Sequence, residues 1–274
     1  MDNRLKVFFI LLIIGAATYF TFKHISIIFS LFLIAFLLIF FYFVSDKIIL
    51  SKYGAEKVKS KYITKVIGEL SEKAGIREPK AYMIKLDFAT ALAVGRKEEA
   101  SICITKDLLK KLDRAEIRAV IAYEIAYIKS NAALLGCIVA MIAGLIVSLA
   151  YFLRYFFDTL TTKKTKIGLV FFSIVLPVAA LLLHLTISRK DKFKADLKAS
   201  KLLGQPYTLI DALKKLEKEK APGFEWSAHL FITSPLTRYS SILFSTHPSL
   251  GERIRRLRSF WKKRKKSAFP VTNL

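Results

Sequence analysis

Apolar residues collect in four runs along the chain, separated by segments in which charged and hydrophobic positions alternate at helical or strand spacing. Ile25 to Val44, Asn131 to Leu153 and Ile167 to Ile187 are each long enough to cross about 30 Å of hydrocarbon as a helix, at roughly 20 residues per span. Val7 to Phe22 is shorter and reads either as a span or as a buried core helix. It follows a charged start, but no small-residue cleavage site comes after it and the next apolar run begins almost at once, so a removed signal peptide is not expected. Only Lys23 and His24 part the first two runs, which predicts a transmembrane hairpin over residues 1–45.

Residues 46–130 change period. A helix near Tyr53 to Lys73 is ended by Gly75 and Pro79. Ala81 to Lys85, Thr90 to Val94 and Ala100 to Thr105 then read as short strands, broken by Gly95 and the Arg96-Lys97-Glu98-Glu99 turn, which predicts a small mixed sheet. Asp113 with Glu116 is a capping-box pattern, and Ile117, Val120, Ile121, Ile125 and Ile128 continue at helical spacing. That helix is expected to pass Lys129, Ser130 and Asn131 without a proline or glycine break and enter the third span. Spans three and four occupy 131–187, with Pro177 a kink in the fourth and His184 an interfacial group. The fourth continues as a helix from Ser188 to Leu203, so two membrane helices aim two cytoplasmic helices at each other. Residues 188–274 complete the polar domain and end in a basic tail.

Composition agrees with membrane residence, because 54% hydrophobic residues and a mean hydropathy of +0.40 are too apolar for an ordinary soluble domain. Lysine and arginine concentrate in 46–130 and 188–274, which predicts that both segments and both termini are cytoplasmic in a multi-pass protein of the cell membrane. Lys163, Lys164 and Lys166 in the intervening loop weigh against this. The net charge of +24 does not point to nucleic acid, since the basic residues flank spans and lack a zinc-finger or aromatic-interleaved pattern. The densest cluster, Arg253 to Lys266 with Phe260 and Trp261 inside it, suits a helix lying on anionic headgroups, or else a solvated basic tail. Cys103 and Cys137 form no metal or disulfide pattern and read as buried small apolar residues.

The candidate chemistry lies in Tyr123-Glu124-Ile125-Ala126-Tyr127, the frame of a zinc-peptidase HExxH helix with tyrosine at both histidine positions. Three further stretches accompany it in order: Thr90 to Arg96, Ser188 to Asp196, and Ser245-Thr246-His247-Pro248 with Glu252-Arg253. Together they resemble the NAFATGR-type strand, the SRRREFxAD stretch and the STHPxxxER element of the HtpX-like integral-membrane zinc metallopeptidases, relatives of the CAAX prenyl proteases. The resemblance covers nearly the whole chain. It implies a mainly α membrane protein, with about four transmembrane helices and a cytoplasmic gluzincin-like α+β metallopeptidase domain.

In that family two histidines four apart and a glutamate from another helix hold zinc, and the motif glutamate activates the zinc-bound water. By alignment the three ligand positions are Tyr123, Tyr127 and Lys192. A protonated lysine has no lone pair and a neutral phenol is a poor donor near pH 7, so no metal and no cofactor is expected. Glu124 keeps the general-base position and Asp196 the position that orients a ligand. His247 and Arg253 match residues facing the substrate and reacting centre, although His247 beside Pro248 also reads as a cap of the final helix. Thr90, Ala91, Leu92, Ala93 and Val94 match an edge strand that accepts extended substrate by β-addition, with Thr90 replacing the usual asparagine.

Zinc with its two glutamates and aspartate carries the same formal charge as Lys192 with Glu124 and Asp196. This suggests that the Lys192 ammonium fills the zinc slot and pairs with both carboxylates. The simpler alternative is an exposed i,i+4 pair between Lys192 and Asp196. The function expected is a membrane pseudopeptidase that binds peptide or membrane-protein segments, or regulates an active relative. The alternative is an active metalloendopeptidase, degrading misfolded membrane proteins with zinc on unusual ligands. A channel or carrier ranks behind both, because the spans lack a ring of charges.

Overall fold

The structure, a computed structural model, describes residues 3–160, 189–218, 228–233 and 247–268. The fourth expected span, with Pro177, His184 and the Lys163–Lys166 loop, lies outside them, as do Ser245 and Thr246. Residues 1–44 and 45–274 form two compact units.

The first helix, α1 (Asn3–Lys52), is continuous for 50 residues. The hairpin expected over 1–45 is therefore not seen. Lys23 and His24 are compatible with helix, and neither glycine nor proline occurs between Ala16 and Lys52 to turn the chain. Within α1, Ile28–Lys52 is long and apolar enough to cross a membrane. Ile28, Phe29, Phe32, Phe36 and Phe43 lie exposed, a surface suited to lipid rather than water.

In the second unit Gly54, at φ +54°, follows the end of α1, and β1 (Glu56–Lys57) pairs antiparallel with β2 (Lys80–Ile84). Sequence periodicity missed this two-residue strand and began the next helix too early. That helix, α2 (Lys61–Ala74), stops at Gly75, whose left-handed φ of +66° lets its amide and that of Ile76 return to Glu72 and Ser71. β3 (Ala91–Val94) and β4 (Ser101–Thr105) complete a mixed sheet of order β1-β2-β4-β3, with β2 and β4 parallel and β3 antiparallel to β4. Alternation along the strands sends Ala91, Ala93, Ile102 and Ile104 into the main core. Leu92, Val94 and Cys103 join a second cluster with Ile49, Tyr53 and Cys137. Both cysteines are free and buried.

After the short α3 (Lys106–Lys111), α4 (Arg114–Lys129) begins on the expected capping box. The Asp113 carboxylate accepts from the Glu116 amide at 2.8 Å, and Glu116 accepts from the Asp113 amide at 2.9 Å. Lys215 also pairs with Glu116. Because the box satisfies two otherwise orphan amides, Asp113→Ala is expected to cost about 1 kcal/mol, read by chemical unfolding in detergent. α4 is buried almost throughout and packs on α2, β3 and two later helices, α6 (Arg189–Leu203) and α7 (Tyr207–Leu216).

The expected uninterrupted passage from α4 into the third span does not occur. α4 ends at Lys129, Asn131 takes φ +59°, and α5 (Ala132–Leu160) departs at 78°. Asparagine tolerates the left-handed region, so one residue makes the corner without proline or glycine. The last described helix, α8 (Leu250–Ala268), is capped by Ser249 and docks through Leu250, Ile254 and Leu257.

Candidate functional site

Three helices and one extended segment converge on a buried polar centre. α4 contributes Tyr123 and Tyr127, one turn apart on one face, with rings stacked 6.1 Å apart at 11°. Glu124 lies beside them and is wholly buried. α6 contributes Lys192 and Asp196, which are 0% and 1% exposed, so the exposed-pair reading fails. Arg253 comes from the first turn of α8, and His247 precedes that helix, turned inward rather than capping it.

The expected Lys192–Asp196 pairing is also replaced. Asp196 is held bidentately by Arg253, with Nε to Oδ2 at 2.8 Å and Nη2 to Oδ1 at 2.6 Å. Lys192 instead donates from Nζ to the Phe231 carbonyl at 2.7 Å. Its nitrogen lies 4.7 Å from the Tyr127 ring centroid and 5.9 Å from that of Tyr123, close enough for cation–π attraction. Among the described residues Glu124 makes no ion pair, and its carboxylate has only the Ala93 backbone as hydrogen-bonding support beside the charges of Lys192 and Arg253. The charge balance drawn from the sequence omitted Arg253. With it, two cations and two carboxylates sum to zero.

Electrostatics follow from this seclusion. Burial pushes the Glu124 carboxyl well above its ordinary range, opposed by the charges of Lys192 and Arg253. Burial likewise pulls Lys192 down, opposed by Glu124. The Tyr123 and Tyr127 phenols are pushed up by burial, and Glu124 adds to this. Burial and the nearby Lys192 keep His247 neutral. Its Nε2 faces the Phe231 carbonyl at 2.8 Å, and because a carbonyl only accepts, Nε2 carries the proton. Burial opposes the Arg253 charge, but Asp196 more than compensates and holds it protonated.

This donor set does not fit zinc. Two phenols held neutral and an amine engaged with a carbonyl replace the imidazoles and carboxylate that zinc requires. Glu124 retains its position beside them, its carboxyl raised by burial.

β3 stands at the edge of the sheet, as the resemblance implied, and Ala91 to Val94 are all buried. Thr90 lies one residue before the strand and exchanges hydrogen bonds with Thr105. The outer side of β3 is covered: Phe231 bridges Leu92 antiparallel, and the Ile232 amide donates to the Ala91 carbonyl at 3.0 Å. The Ile232 carbonyl in turn accepts from Arg253 Nη1 at 2.8 Å. These contributors escaped sequence reasoning because they act through main-chain atoms, which no residue type betrays. His229, equally unforeseen, lies 2.9 Å from the Gly136 carbonyl through Nε2. A Cβ at Gly136 would come within 2.8 Å of the Leu230 side-chain end, so a larger residue there requires that side chain to shift.

Residues 57–260, which hold every group of this centre, match peptidase family M48. The chain belongs to that family. It is 35% identical over 238 residues to a protease HtpX homolog of Aquifex aeolicus, covering 79% of this chain and 78% of that one. It is 35% identical over 236 residues to protease HtpX of Legionella pneumophila, covering 80% and 84%. The HtpX homolog of Thermococcus kodakarensis is 34% identical over 233 residues, covering 79% and 80%. A crystal structure of S. mikatae Ste24p aligns at TM-score 0.49 and 20% identity over 83% of this chain and 56% of that one. As an HtpX-like M48 member, the chain presents Tyr123, Tyr127 and Lys192 side by side, the three positions that the resemblance implied as metal ligands.

Proposed function

We propose that this M48 member is a membrane-bound pseudopeptidase, one that captures extended segments of unfolded or membrane proteins without cleaving them. The observation that carries this reading is the close, fully buried packing of Lys192 against Tyr123 and Tyr127. Two phenols held neutral and a lysine nitrogen committed to a backbone carbonyl stand at the implied ligand positions, so water activation by a metal loses its basis. What persists is a sheet edge and donors aimed at peptide carbonyls, the parts of a peptidase cleft that bind rather than cut.

The protein sits in the cell membrane in this reading, multi-pass, with both termini and the M48 domain on the cytoplasmic side, as the lysine and arginine distribution supports. Anionic lipid is a second partner. Arg255, Arg258, Lys262 and Lys263 on α8 are exposed. Trp261 donates to Ser200 and Phe260 lies under Lys201, so the attraction rests on the cations and not on inserted rings.

Metal analysis of detergent-purified protein tests the central point. Substoichiometric zinc is expected, with stoichiometric zinc in the combined Tyr123→His, Tyr127→His and Lys192→Glu variant. Stoichiometric zinc in the native chain, with unfolded-protein cleavage abolished by Glu124→Gln, would favour an active endopeptidase and overturn the proposal.

A further inference from the structure

The geometry points to a groove that carries its own ligand: Leu230 to Ile232 occupies the edge of β3 in cis, and the client that replaces it is an extended polypeptide with an aromatic side chain at the Phe231 position. The inference rests on the polypeptide-binding reading and specifies it.

Each contact of the segment is one that a foreign peptide would reproduce. The Ile232 amide completes a β-bond to the Ala91 carbonyl, which asks nothing of sequence. The Phe231 carbonyl receives two donors, Lys192 at 2.7 Å and His247 at 2.8 Å, and the next carbonyl receives Arg253 at 2.8 Å. Lys192 stands at an aligned ligand position, and His247 and Arg253 match substrate-facing residues, so the groups that would polarise a substrate carbonyl are spent on the chain's own backbone. Side-chain selectivity comes from one ring. Phe231 is 1% exposed and lies edge-on to Tyr53 and Phe88, with centroids 5.9 Å and 5.6 Å away, in a cluster completed by Leu92 and Leu230. A tethered occupant acts at an effective concentration in the millimolar range, so a free peptide meets a competitor that must first leave.

The test uses the full chain in detergent and a fluorescent hexapeptide of sequence Ala-His-Leu-Phe-Ile-Thr, read by anisotropy. Ile232→Pro removes the amide that bonds to Ala91 and is expected to tighten peptide binding about tenfold, the effect of one lost competing hydrogen bond. Alanine in place of the peptide's phenylalanine is expected to abolish most of that binding. A second variant controls for misfolding. Leu92 and Phe231 oppose each other without bonding directly, a spacing that accepts a disulfide, so the Leu92→Cys and Phe231→Cys pair locks the segment reversibly. Oxidised protein should reject the peptide and reduced protein bind it. Equal affinity in both redox states, or indifference to the phenylalanine, overturns cis occupancy while leaving peptide capture standing. No binding of any extended peptide to any of these proteins overturns both.

Discussion

Arg253→Ala is expected to cost about 3–5 kcal/mol of stability, the range for breaking one side of a buried ion pair, and so to bring the domain close to unfolding. The magnitude comes from what is left behind. Asp196 is 1% exposed and takes both of its short hydrogen bonds from Arg253, so the variant strands a carboxylate where water cannot reach. The Ile232 carbonyl loses its donor as well. Adding Asp196→Asn to Arg253→Ala should recover part of the loss, because the orphan charge disappears even though the hydrogen bonds do not return. Chemical unfolding in detergent at neutral pH measures both. A single variant within 1 kcal/mol of the native protein would show that the pair is not secluded.

Glu124→Gln acts in the opposite direction, stabilising the protein by about 3 kcal/mol at pH 7. In the unfolded chain the carboxyl titrates near 4.5, whereas burial raises it in the native state. The native state therefore holds more protons than the unfolded state above pH 4.5, and stability falls as pH rises until the raised native value is passed. Lys192 contributes the opposite slope. Its native value is lowered from 10.5, so the cost of burying it is greatest at low pH and fades as pH climbs toward 10.5. Native stability should pass through a minimum near neutrality, and Glu124→Gln should remove only the acid-side limb. Thermal unfolding between pH 5 and 9 reads the shape; a variant curve parallel to the native one would place Glu124 in contact with solvent. Replacing the general base of a working peptidase also tends to stabilise, but here the gain should be accompanied by no loss of peptide binding.

Much of this architecture was legible in the chain. Asp113 and Glu116 announced the start of α4, and the break at Gly95 and the Arg96 to Glu99 turn set off Thr90 to Val94 and Ala100 to Thr105 as strands, because each feature depends on neighbours in sequence. The side chains of Tyr123, Glu124, Tyr127, Lys192, Asp196, His247 and Arg253, which the motifs singled out, lie close together in the fold. Their pairing was misread for a physical reason: Lys192 and Asp196 share a helix face, but Arg253, remote in sequence, offers a planar fork that outcompetes a point charge for a carboxylate. The corner at Asn131 was missed because a single left-handed asparagine leaves no breaker residue to read. Covering of β3 by Phe231 was missed because that bond is written in amides and carbonyls.

The corner at Asn131 has a bearing on where clients are met. Glu124 stands five residues before the end of α4 at Lys129, about 7.5 Å at 1.5 Å per residue, and the 78° turn then redirects the chain into the apolar α5. In the proposed multi-pass topology α5 would enter the bilayer, and the 78° corner would then set α4 close to the membrane plane, with the groove near the headgroups. In that arrangement a polypeptide emerging from the lipid would reach β3 before it had fully entered water, whereas a soluble one would have to come down to the surface to find it.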